Sequence, residues 1–242
     1  MPFTFSHPAI ILPLHYFPKK WFSLTGLIIG SLTPDFEYFI RMKVKSIYSH
    51  TLLGVFWFDL PLAILLAFIF HNIIRNGLFS NLPEILQSRI KIFTEFDWNF
   101  YFKKNWFIVL LSTLLGIISH LFWDAFTHNH GYFVCQISAL KNTISLYGNE
   151  IPFWKAAQHL STFLGGILII VAILKLPKST ISTSTISKKY WTVVFITTAL
   201  VTTIRFSPSF DIKAIGNIIV SMISAFMIAL ILSPLIIKQK VK

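Results

Sequence analysis

LLGVFWFDLPLAILLAFIFHNII, residues 52–74, decides the class of fold open to this chain. A helix needs about 20 apolar residues to cross a hydrocarbon core, and within lipid only helices and closed barrels satisfy every backbone polar group. Four further runs, 106–126, 160–176, 191–204 and 215–237, repeat the pattern. A sixth, 21–31, is too short to cross alone but carries Gly26 and Gly30 at the spacing that lets helices pack closely. It reads as a partly inserted or re-entrant helix. With 55% hydrophobic residues, 12% charged residues and a mean hydropathy of +0.69, a soluble domain is excluded. The expectation is an all-α polytopic membrane protein of five or six transmembrane helices. It forms one integral membrane domain, in which residues 1–165 carry the motifs and 166–242 add helices with no readable motif.

The formal charge of +12 is spread through loops. That distribution fits attraction to anionic lipid headgroups and gives no reason to expect nucleic acid as a partner. The single cysteine, Cys135, excludes an internal disulfide framework and a multi-cysteine zinc site. Histidines and carboxylates remain as metal ligands. No Lys or Arg precedes Lys19, so the first segment reads as retained rather than as a cleaved signal. If the tail bearing Lys238, Lys240 and Lys242 is cytoplasmic, so are the linker 75–105 and the connector 177–189, which gives a slight positive-inside bias. Residues 1–50 and the loop 129–158 then share the outer face. Whichever side that is, the polar groups at His7, Asp35, His50, His128 and His159 fall on one face of the membrane.

SHLFWDAFTH, residues 119–128, ends the second run. At about 100° per residue, His120, Asp124 and His128 fall within an arc of about 80° on a helix. An Asp at the centre of a membrane helix costs about 2.5–3.5 kcal/mol on insertion scales and so marks a partner or a cavity. Imidazole, carboxylate and imidazole also suit a divalent ion such as zinc, although a polar seam between helices would use the same residues. His7 precedes Pro8, which disfavours helical geometry at that bond. Asp35 follows Thr33 and Pro34, which read as cap and first residue of a helix whose dipole the carboxylate would complement. His50 heads a run, where an interfacial polar residue is the plain alternative. Asp59, inside the first run with Pro61 two residues on, and His159, at the head of the third run, are candidate outer partners of the ligands or further ligands.

MPFTFSHPA, TPDFEYF, SHTLLG and SHLFWDAFTH, with FWKAAQHLST later, resemble the DUF4184 family of bacterial membrane proteins over most of the first 165 residues. More distantly, the pattern is similar to membrane-bound metal-dependent hydrolases of the YdjM type and to the zinc-dependent phospholipase C and P1 nuclease superfamily. The resemblance implies that His7, Asp35, His50, His120, Asp124 and His128 are metal ligands, that one to three ions, zinc first, are bound, and that Asp35 bridges ions or serves as base. Two features depart from the soluble relatives. The chain begins Met1-Pro2 where they place a ligating Trp, and His159 is followed four residues on by Phe163 rather than by a carboxylate. One or two ions are therefore easier to ligate than three. The implied function is a metal-dependent hydrolase of phosphoesters such as phospholipid headgroups, in a bacterial inner membrane with its site on the outer face, and with Asp35 or Glu37 taking the proton. The alternatives are a transporter relaying protons or cations through Asp59, His120 and Asp124, and a non-catalytic protein whose metal only joins helices.

Overall fold

The computed structural model describes residues 3–18, 20–146, 148–179, 184–207 and 211–237. The lysine tail used to orient the chain, the Met1-Pro2 start and part of the 177–189 connector lie outside the described residues. The chain is mostly helical (77%), as an all-α fold requires. In order come α1 (Pro8–Ile11), α2 (Leu24–Leu32), α3 (Phe36–Arg41), α4 (Leu52–Phe79), α5 (Glu84–Ile90), α6 (Trp98–Thr127), α7 (Tyr132–Gln136), the antiparallel hairpin β1 (Thr143–Leu146) and β2 (Asn149–Pro152), then α8 (Phe153–Lys175), α9 (Lys188–Phe206) and α10 (Ile215–Ile237).

Among the described residues, four helices are long and apolar enough to cross a membrane: α4, α6 taken on through α7, α8 and α10. Four corrects the expected five or six. The run at 191–204 does form a helix, α9, of 19 residues, but Thr192, Thr197, Thr198, Thr202, Thr203 and Arg205 leave it short of the apolar character of the other four. The run at 21–31 becomes α2, a helix of nine residues, less than half the length a crossing needs.

The chain forms two compact units, each assembled from three separated stretches: Met1–Pro34, Ser49–Ile64 and Asn105–Ala172 in the first, Asp35–Tyr48, Leu65–Lys104 and Ile173–Lys242 in the second. In the first, α2 packs on α6 through glycines. A Cβ at Gly26 would stand 2.8 Å from the Val109 carbonyl oxygen, and one at Gly30 would collide with the Thr113 carbonyl. Gly116 returns the favour, since a Cβ there would strike the Leu27 carbonyl. Close approach of this kind gives membrane helices their dispersion contacts when there is no hydrophobic drive to associate. The Ser112 hydroxyl, accepting from Ser23 N at 2.8 Å, fixes the register.

The N-terminal segment is tied to α8. Phe3 N donates to Thr162 Oγ1 (3.0 Å) and Ser6 Oγ to the Thr162 carbonyl (2.9 Å), while Gly165 leaves the room Ser6 occupies. His7, expected outside helical geometry because Pro8 follows it, sits in it at φ −58°, ψ −36°. The anchored turn Thr4–Ser6 and its bond from His7 N to Thr4 O (3.2 Å) outweigh the local disfavour of proline.

In the second unit the core joins Tyr190 and Val194 of α9 to Ala229 and Leu230 of α10, with Ile74 and Leu78 of α4 against them. Helix α3 ends at Met42 in the left-handed region (φ 48°). Its last carbonyls are met by serines of α10: Ser224 Oγ donates to Phe39 O at 2.8 Å and Ser221 Oγ to Met42 O at 3.0 Å.

Candidate metal centre

The first unit gathers imidazoles from three of its segments around one carboxylate. Asp124 lies two turns past Gly116 on α6, so the glycine contact that seats α2 also sets its height. Its Oδ2 is 3.3 Å from His120 Nε2 and 3.4 Å from His50 Nε2, while its Oδ1 is 3.6 Å from His7 Nε2 and 3.5 Å from His128 Nδ1. The His7 and His120 rings stack at 3.7 Å. His120 is fully buried, and His7 (4% exposed) and Asp124 (6%) nearly so. One ligand atom each from Asp35, His50, His120 and Asp124 lie within 4.8 Å of one another.

Each ring is steered by its other nitrogen or by its backbone. His120 Nδ1 is 2.7 Å from the Ser31 carbonyl, which only accepts. Nδ1 therefore carries the proton and Nε2 turns toward Asp124. Ser31 is placed there because α2 approaches α6 so closely. His50 Nδ1 lies 3.0 Å from Ser49 Oγ, and its backbone is left-handed at φ 62°. That conformation costs a non-glycine residue free energy and recurs at functional sites. His128 Nδ1 approaches the Asp124 carbonyl at 3.1 Å.

Distances decide what such a cluster can do. Donors around a tetrahedral zinc, with bonds of about 2.0–2.1 Å, stand about 3.3–3.4 Å apart. The His120 and His50 separations from Asp124 Oδ2 have that value. A direct charge-assisted hydrogen bond between imidazolium and carboxylate would close to about 2.7–2.9 Å. The donor set could therefore hold a divalent ion, and the two Asp124 oxygens each face a different pair of histidines.

Asp35 and the remaining expected residues fall as follows. Thr33 does not cap a helix: its hydroxyl donates back to Ile29 O at 2.6 Å, extending α2 through a tight turn. Asp35, fully buried, stands at the start of α3 and makes no side-chain capping bond there. Glu37, expected as a candidate base, is instead bound up in the second unit. Its carboxylate accepts from Arg41 Nε (2.7 Å), Ser46 Oγ (3.2 Å), Ile47 N (2.9 Å) and Tyr48 N (2.9 Å). It fixes the loop that leads into Ser49 and His50. Asp59 is buried on a π-turn of α4, Val55–Asp59, and is not one of the four clustered ligands. His159 stands on the exposed face of α8. Its neighbour Gln158 points inward, donating from Nε2 to the Thr127 carbonyl at 3.0 Å. That bond satisfies a carbonyl left open at the end of α6. Sequence reading missed Gln158, Ser31 and Ser49. Only the small-residue spacing of Gly26 and Gly30 pointed toward the Ser31 contact.

The family model described as "Domain of unknown function (DUF4184)" matches residues 1–235. The match therefore extends past the 165 residues that carry the readable motifs to include α9 and nearly all of α10. No curated protein matches the chain, and no solved structure does.

Proposed function

We propose, for a chain that belongs to the DUF4184 family, that it is a membrane-embedded, zinc-dependent hydrolase of phosphoesters, with phospholipid headgroups as the substrate class. The observation that carries the reading is the His120–Asp124 pair. The proton on Nδ1 is committed to Ser31 O at 2.7 Å, so the Nε2 lone pair faces a buried carboxylate oxygen at 3.3 Å. Two electron-rich atoms held that way call for a cation between them. His50, His120 and Asp124 would hold the first ion and leave its fourth position open for water, with Asp35 beside them to bridge to a second ion or take the proton, and His7, His128 and the other Asp124 oxygen offer donors for that second ion.

Bound there, zinc supplies a Lewis acid for a phosphoryl oxygen and brings the pKa of a coordinated water toward about 7. Asp35 is the carboxylate suited to receive the proton from the attacking water, since Glu37 is occupied with Arg41 and the 46–48 loop. The likeness in ligand order to YdjM-type hydrolases and zinc-dependent phospholipases C supports the same chemistry. The four apolar helices support a lipid substrate over a soluble one, and with four crossings the linker 75–105 and the connector 177–189, both bearing Lys and Arg or Lys alone, share the face opposite the site, which supports an inner-membrane protein with its site on the outer face.

Metal analysis of purified protein tests this directly. Wild type should carry one to two zinc ions per chain, and His120→Ala and Asp35→Ala should lose most of them. Unchanged metal content in both variants would reject the reading. Release of phosphorylated headgroup from phospholipid in detergent micelles, dependent on zinc and absent in Asp35→Asn, tests the chemistry.

A further inference from the structure

Outside the metal centre the first unit carries an apolar groove of about 580 Å³, within the range of small-molecule sites. The Ser138–Lys141 turn and β1 form one wall, with Leu140 and Ile144. The first turns of α8 form the other, with Phe153, Ala156, Ala157 and Leu160. The adjacent alanines at 156 and 157 leave the helix surface bare and so make the room.

The chemistry of the lining narrows the occupant. A peptide laid in the groove would bury backbone N–H and C=O groups against side chains that offer no hydrogen bond, at a cost of at least about 1 kcal/mol for each. A hydrocarbon chain has no such demand. Leu160 (60% exposed) is also the first residue of an outward stripe continued by Phe163 (70%), Leu164 (51%) and Ile167 (55%), on a helix long and apolar enough to cross a membrane. The groove is thus continuous with a surface suited to lipid. Lys141, chain neighbour of the lining residue Leu140, is exposed, and it supplies a cation beside an otherwise uncharged groove. Ala157 is followed by Gln158, which holds the Thr127 carbonyl. The groove floor is therefore one hydrogen bond from the helix end that bears His128.

We propose that this groove seats an acyl chain of an anionic glycerophospholipid, with Lys141 attracting the headgroup. The inference rests on the metal-hydrolase reading only for the further step that the bound lipid is also the substrate.

Native mass spectrometry of the detergent-solubilised full chain, titrated with phosphatidylglycerol or phosphatidylcholine, tests it. Wild type should bind one phosphatidylglycerol more tightly than Ala157→Trp by at least about tenfold, the loss expected when two methylenes lose their cover. Ala157→Leu should give a smaller change of the same sign. Lys141→Glu should lower the preference for phosphatidylglycerol over phosphatidylcholine, and Phe163→Ala, on the stripe beyond the groove, should change neither. Metal content and melting temperature of each variant, equal to wild type, establish that it is folded. Equal lipid binding by folded wild type and Ala157→Trp overturns the proposal. So does a change in oligomeric mass with no change in bound lipid, which would assign the groove to a second copy of the chain. A protein that binds lipid in this way but no metal would retain the groove and reject the hydrolase reading. One that binds zinc, without this lipid dependence, would do the reverse.

Discussion

Both units bury a carboxylate among cationic or polar groups, and they do so in opposite ways. In the second unit Glu37 accepts four hydrogen bonds between 2.7 and 3.2 Å. Arg75, likewise buried, donates to Phe96 O at 2.7 Å, to Thr94 O at 3.1 Å and to Asn76 Oδ1 at 3.0 Å. These clusters are closed at hydrogen-bond distance, and what they do is hold loops to helix ends. In the first unit four imidazoles surround Asp124 at 3.3–3.6 Å, too far for strong charge-assisted bonds and right for sharing an ion. Bonding distance, more than burial or residue type, separates a structural polar cluster from one built for a ligand.

If that contrast is right, metal removal acts on the cluster around Asp124 and leaves the closed clusters alone. Asp124→Ala should abolish zinc binding, a loss beyond the roughly 100-fold upper end seen when a ligand's outer partner is removed. Stripping wild type with a chelator should lower its stability by about 4 kcal/mol, for zinc held at about a thousandfold over its dissociation constant. Hydrogen exchange should quicken around 112–128 and not around 221–233. Equal quickening at both would erase the distinction.

Glu37→Ala attacks the closed cluster. Two backbone N–H groups, of Ile47 and Tyr48, lose their acceptor at about 1–1.5 kcal/mol each. The partly exposed Arg41 adds little. A total near 3 kcal/mol, read as a fall in melting temperature with zinc content retained, is expected. Loss of zinc with unchanged melting temperature would return Glu37 to the metal centre.

Ser49→Ala sits between the two cases. It removes the group that steers His50 Nδ1 and leaves the ligand itself, so zinc affinity should fall about tenfold, the lower end for an outer partner, with melting temperature of the zinc-free protein unchanged. Competition with a chromophoric chelator measures it.

These distinctions were unevenly legible in the chain. The stripe of His120, Asp124 and His128 follows from helical period alone, because α6 is regular through it. His7, Asp35 and His50 reach the same place only through α2 docking, the anchored N-terminal turn and a left-handed residue, none of which a local pattern encodes. They were named from resemblance rather than from geometry. Glu37 was misjudged for a related reason: its partners are mostly backbone N–H groups, which every sequence contains and none displays. Counting spans failed at α9 because apolar and threonine residues alternate there, and a run can look continuous while its mean hydropathy falls. The two units, built from interleaved stretches, were hidden because α4 and α8 pass from one to the other within a continuous helix and α6 does so at a kink, Asn105 (φ −126°, ψ 25°), that no residue pattern announces.

The smallest effect tests the finest of these differences, one residue of helical phase on α8. Successive residues on a helix point about 100° apart, so Gln158 and His159 cannot both face α6. Gln158→Ala should leave the Thr127 carbonyl without its donor and cost about 1 kcal/mol, with a modest drop in zinc affinity because the last turn of α6 carries His128. His159→Ala should change stability by less than about 0.5 kcal/mol, as exposed substitutions do, and leave zinc unaltered. Both variants need only a melting curve and a metal assay. A reversal, with His159→Ala losing zinc and Gln158→Ala silent, would mean that the face of α8 has been assigned the wrong way round, and the floor of the acyl-chain groove at Ala157 with it.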